Sequence, residues 1–162
     1  MGLRGYKGRV GLFVCKLHSF IPVPCDQIER ETDESTKETT AHTPFTQLGR
    51  VAPMIMYKQS DDDRKLFVLS LTTVGQTHHL GKKGVMIVLT DSTRWERKPT
   101  PIRVDQDAGG YQYSAHLAMT DEDIALFSER TIDKFRLFIY DRDVTDPEAE
   151  TFAEQVGCLV ER

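Results

Sequence analysis

From Tyr111 to Met119 apolar and polar positions alternate. Tyr111, Tyr113, Ala115, Leu117 and Met119 fall on one side, and Gln112, Ser114, His116 and Ala118 on the other. A period of two predicts a strand with one buried face. Thr120 and Asp123 then have the spacing of a capping box, and Asp121, Glu122 and Asp123 suit the positive end of a helix dipole. A short helix is predicted over Asp121 to Ser128, with Ile124, Leu126 and Phe127 as its apolar side. Phe135 to Tyr140 reads as a second strand. This unit specifies a scaffold and holds no catalytic set.

Upstream the pattern is mostly β. Leu66 to Val74 predicts a strand with Phe67, Leu69 and Leu71 inward, and Val85 to Thr90 is an apolar run expected of a strand covered on both faces. Val51 to Tyr57 contains Pro53, which predicts an edge or irregular strand. Asp91 to Thr100 reads as a loop, and Pro101 to Val104 as a short strand. Near the C-terminus, Asp146 and Pro147 suggest an N-cap and first position. Ala149, Phe152, Ala153, Val156, Leu159 and Val160 follow at helical spacing, with Glu148, Glu150 and Glu154 outward.

The first 44 residues carry no such pattern. Arg4, Lys7 and Arg9 precede the apolar run Val10 to Cys15, which begins like a secretory signal until Lys16 and His18 interrupt it. Asp26 to His42 is acidic, with only Ile28 and Ala41 apolar, and buries too little to offset its ordering entropy. Residues 1–44 are therefore expected to be a loosely ordered extension, with a degenerate signal and an acidic linker as its parts. Residues 45–162 are expected to form a single domain.

Composition narrows the candidates. The net charge of −4 argues against general nucleic-acid binding, which needs clustered cations. No apolar run approaches the roughly 18 residues that span a bilayer. Cys15, Cys25 and Cys158 include no CxxC pair. Cys158 reads as a small buried hydrophobe, with a Cys15–Cys25 bridge as the minority alternative.

Five residues remain as candidate ligand or partner contacts: Trp95, Arg94, Arg97, His78 and His79. A tryptophan among cations can stack on a ring or anchor a partner, or fold down onto the sheet, and the second is the stronger expectation. Adjacent His78 and His79 would ligate one ion only from a loop, and no further ligands stand at a recognisable spacing. Asp61-Asp62-Asp63 and Asp141-Arg142-Asp143 read as surface turns, so no metal or cofactor is expected. Ser114 and His116 lie about 7 Å apart along one strand, too far for a nucleophile–base bond.

Met119 to Ile124, Ile132 to Asp141 and the helix ending Val156-Gly157-Cys158-Leu159 are similar to the C-terminal part of small uncharacterised bacterial domains. Members of that group often begin with a signal or lipoprotein segment. The resemblance implies export and carries no catalytic residues, but this chain lacks a clean lipobox before Cys25. The expected fold is α+β, a mainly antiparallel sheet of five to seven strands with a connecting helix and a C-terminal helix packed on it. The expected function is a non-enzymatic accessory or binding domain. A hydrolase using His116, Asp91 or Asp141 is the alternative, and so is a protein-interaction module using a sheet edge or the Trp95 loop.

Overall fold

The computed structural model describes residues 25–78, 84–107 and 109–161, save the side chain of Asp107. The signal-like reading of the N-terminus, His79 and most of the 81–84 turn lie outside these residues. The fold is α+β and mainly antiparallel. Six strands form one sheet in the order β1 (Glu29–Thr32), β2 (Thr39–His42), β5 (Met54–Ser60), β6 (Lys65–Gly75), β10 (Gly110–Met119) and β9 (Arg103–Asp107). Four form a second sheet: β12 (Tyr140–Asp143), β11 (Ile132–Leu137), β7 (Val85–Leu89) and β8 (Arg94–Arg97). A small ribbon joins β3 (Thr46–Gln47) to β4 (Arg50–Val51). Helices α1 (Asp121–Glu129) and α2 (Asp146–Glu161) complete the chain. Neither is long and apolar enough to cross a membrane.

The one-sided alternation seen in the sequence determines the core. Met54 and Met56 of β5 lie opposite Leu71 and Leu69 of β6, which in turn face Ala115 and Leu117 of β10. Val85 and Ile87 of β7 pair with Leu137 and Phe135 of β11. These side chains, with Ile124 and Phe127 of α1 and Phe152, Val156 and Leu159 of α2, form one buried cluster. Helix α1 therefore connects the two sheets, running from β10 of the larger to β11 of the smaller.

Four local expectations are corrected. Residues 29–42, expected to be loose, form the hairpin β1–β2, and β2 pairs with β5. Its strands are held by backbone bonds, which need no apolar content, while Ile28 and Ala41 are its buried anchors. Pro53 lies just before β5, so β5 keeps its ladder donors and sits inside the sheet rather than at its edge. The expected loop at 91–100 contains strand β8. Finally, the cap of α2 is Thr145: its carbonyl accepts the Ala149 amide at 2.9 Å, and the Glu148 carboxylate accepts its amide and hydroxyl, both at 3.0 Å.

The bridge Cys25–Cys158 was not foreseen, and it replaces both cysteine expectations. Cys158 is buried as predicted but is not a free thiol. The bridge ties the short 3-10 turn Cys25–Gln27 to α2, with a Cα–Cα distance of 5.5 Å, inside the usual disulfide range. At the same end, Lys58 is only 5% exposed and its Nζ donates to the Leu159 carbonyl at 2.8 Å. This ammonium satisfies an open carbonyl in the last turn of α2, where the helix dipole favours a cation. Burial, then the charges of Lys65 and Arg30, hold its pKa below the ordinary lysine value.

Candidate functional site

Register separates the 91–100 candidates. Trp95 and Arg97 lie opposite Ile87 and Val85, on the inward face of the second sheet. Arg94 lies opposite Val88 on the outward face and is exposed. The Trp95 indole donates to Asp123 Oδ1 at 2.6 Å, and Arg97 donates to Asp123 Oδ2 at 2.6 Å. The same carboxylate accepts the Thr120 amide at 2.9 Å, and the Thr120 hydroxyl accepts the Asp123 amide at 3.2 Å. The predicted capping box is thus complete, and its acid also holds β8. The Trp95 ring meets Phe127 edge-on, with centroids 5.6 Å apart, and Arg97 lies 5.2 Å from the Trp95 ring. Burial would raise the Asp123 pKa, but the bonds from Thr120 and Trp95 and the charge of Arg97 outweigh it and hold the carboxyl below its ordinary value. Trp95 and Arg97 thus have partners within the fold.

His78 lies 5.2 Å from the Tyr111 ring, at the end where the two sheets meet. There Tyr113 of β10 and Tyr140 of β12 lie 4.8 Å apart. The Tyr113 hydroxyl donates to the Thr77 carbonyl, and the Tyr140 and Thr77 hydroxyls are 2.5 Å apart. The bond with the Thr77 hydroxyl lowers the Tyr140 pKa. Gly75 makes this seam possible, because a Cβ there would lie 2.5 Å from the Tyr140 ring and 2.8 Å from the Tyr113 ring. Gly75→Ala is expected to destabilise the fold by about 1–3 kcal/mol through overpacking, read as a lower urea midpoint at unchanged slope.

The hydrolase candidates are not brought together. His116 is exposed on the outward face of the six-stranded sheet, opposite Ser70. Asp91 pairs with Arg130 at 2.5 Å in the β7–β8 turn, and Asp141 pairs with Arg136 through two bonds of 2.5 and 2.7 Å on the second sheet. Among the described residues, no group of three or more His, Cys, Asp or Glu is placed to hold a metal ion.

Sequence reasoning missed the β3–β4 hairpin. Thr46 pairs with Val51 and Gln47 with Arg50, leaving Leu48 and Gly49 as a two-residue loop with φ of 52° and 75°. Both values belong to a type I′ turn, which usually carries Asn or Gly. Leucine at such a position costs roughly 1–2 kcal/mol. Its side chain is nevertheless 66% exposed, beside Phe45 at 46% and Val51 at 73%. The hairpin is held in place by Gln47, which is buried and donates from Nε2 to the Glu148 carbonyl at 3.0 Å. Phe45 also packs on His42, with ring centroids 4.3 Å apart. The signal in the sequence was Gln47-Leu48-Gly49-Arg50, but strands of two residues show no periodicity.

No protein-family model matches the chain, and neither a curated protein nor a solved structure matches it.

Proposed function

We propose that this chain is a non-enzymatic accessory or binding domain of an oxidising compartment, and that its contact surface is built on the β3–β4 hairpin. The observation that carries the reading is Leu48: a bulky apolar side chain held outward in a left-handed turn, where glycine or asparagine would cost less. With Phe45 and Val51 it gathers three exposed apolar residues within seven positions, on a hairpin fixed to α2 by Gln47. Such a cluster supports a protein-contact role. The Cys25–Cys158 bridge supports the compartment, since structural disulfides persist where thiols are not kept reduced.

A photo-reactive residue at position 48 tests the reading in cells, with position 62 on the Asp61–Asp63 turn as control. Position 48 is expected to give discrete protein adducts and position 62 none. Equal labelling at both positions counts against the hairpin. Turnover in a broad hydrolase screen that disappears in His116→Ala would overturn the non-enzymatic reading.

A further inference from the structure

We propose that the partner of the β3–β4 hairpin is a polypeptide segment carrying arginine or lysine beside apolar side chains, and that it extends over the outward face of the six-stranded sheet at β1, β2 and β5. The inference rests on the reading of the hairpin as the contact surface and names what that surface takes. Register locates the face. Val68 alternates with the buried Phe67 and Leu69, so it points away from the core, and Tyr57 and His42 follow it outward across the ladder. Phe45, at the base of the hairpin, packs on both rings, with centroids 4.3 Å from His42 and 6.4 Å from Tyr57. The exposed hairpin and this sheet face are therefore one continuous surface. The helices and the second sheet bury the inward face, while Leu66, Val74, His116 and Ala118 on the outward one stay exposed.

The charge along its edge selects the occupant. Glu29 pairs with His42 and Glu31 with Thr40, so both glutamates lie on the outward face. Arg30 lies opposite the buried Ala41, and its charge acts on Lys58 of the inward face. The pleat thus separates the one cation of β1 from its two carboxylates. Glu29 Oε2 is 3.8 Å from His42 Nε2, beside the aromatic group. Next to it, a hollow of about 390 Å³ is lined by Glu31, Asp33, Glu38, Thr40 and Gln59, with no cation among them. Bonds from Ser35 and Thr36 hold the Asp33 carboxyl below its ordinary value, so it is ionised at neutral pH. Carboxylates beside ring faces suit a cationic side chain: the oxygens accept its N–H groups, and the ring quadrupole attracts its charge. Phe45, Leu48 and Val51 supply apolar contact for the residues next to that cation. A nucleic acid or an anionic membrane would instead bring like charge against the acidic edge.

The test titrates the ¹⁵N-labelled full chain with acetyl-Leu-Arg-Leu-Arg-Leu-amide, with the analogue carrying Glu in place of both Arg, and with phosphatidylglycerol vesicles. The cationic peptide is expected to shift the amides of Glu29, Glu31, His42, Phe45 and Tyr57 saturably. The acidic analogue should bind at least about tenfold more weakly, because like charges then face each other. The double variant Glu29→Gln, Glu31→Gln should lose roughly fivefold in affinity for the cationic peptide, and Phe45→Ala about as much. All three positions are exposed, so both variants should keep the wild-type Tm. Non-saturating shifts, equal binding of the acidic analogue, unchanged affinity in either variant, or the same shifts from the vesicles would each overturn the assignment. Position-48 adducts that persist while the cationic peptide leaves β1 and β2 unshifted would overturn this inference and leave the hairpin reading standing.

Discussion

Reduction of the Cys25–Cys158 bridge is expected to lower the melting temperature by roughly 5–15 °C, the change that about 2–5 kcal/mol produces in a chain of this size. The bridge joins residues 133 positions apart. In the chain-entropy account, closing so long a loop restricts the unfolded chain more than a short one would. Its native-state role is local: it clamps the turn bearing Gln27 onto α2, one helical turn from Gln155. The same reduction should therefore free the Cys25–Gln27 turn from α2 before the remote core opens. Thermal scans with and without dithiothreitol, repeated on Cys158→Ser, measure the first effect. Non-reducing peptide mapping should recover a linked pair containing Cys25 and Cys158. A Cys15–Cys25 link, or a melting temperature indifferent to reduction, would remove the bridge from the account.

This pairing shows why part of the structure was closed to a reading of the sequence. Disulfide connectivity is a property of the folded chain, and three cysteines without a framework do not specify it. Where one face is buried and the other wet, the pattern was legible: Tyr113, Ala115, Leu117 and Met119 are inward in β10, and the box of Thr120 and Asp123 forms as its spacing required. The β1–β2 hairpin was illegible for the opposite reason. All four residues of β1 are exposed, so nothing in its side chains marks it, and it is held through backbone bonds to β2. Strand β8 was hidden by its charges. Arg94 and Arg97 look like one cationic cluster in the sequence, yet the pleat sends them to opposite faces. The candidate site therefore lies away from the tryptophan, on a hairpin whose two-residue strands are too short to show a period.

Replacing Asp123 should be strongly destabilising, because one side chain joins three elements. Its carboxylate is the common acceptor for the Trp95 indole, the Arg97 guanidinium and the Thr120 amide. Asp123→Ala leaves these donors unpaired, removes the carboxylate half of the α1 capping box and detaches the Trp95 and Arg97 side chains of β8 from the start of α1. The loss of a cap costs about 1 kcal/mol, and hydrogen bonds to a charged group about 1.5–3 kcal/mol. Because Arg97 is partly exposed, its contribution is discounted, and a total of about 2–4 kcal/mol is expected. The pH dependence follows from the lowered carboxyl pKa. The folded state holds this proton less tightly than the unfolded chain, so the stabilisation is complete above the unfolded value of 3.8 and is lost as pH falls through the folded one. Other carboxylates lowered in the same way, among them Asp61, Asp91 and Glu148, add to the acid loss. Asp123→Asn isolates the contribution of Asp123, since it keeps the shape and cannot titrate. Its Tm should fall less steeply than wild type between about pH 5 and pH 2, because each tenfold difference in proton affinity between the two states is worth about 1.4 kcal/mol. Trp95, the single tryptophan, reports the event directly, because its indole bonds the titrating carboxylate. Its emission should change with acid in wild type before global unfolding, and should be flat over the same range in Asp123→Asn. Equal acid slopes in the two proteins would show that Asp123 does not tie the helix cap to β8.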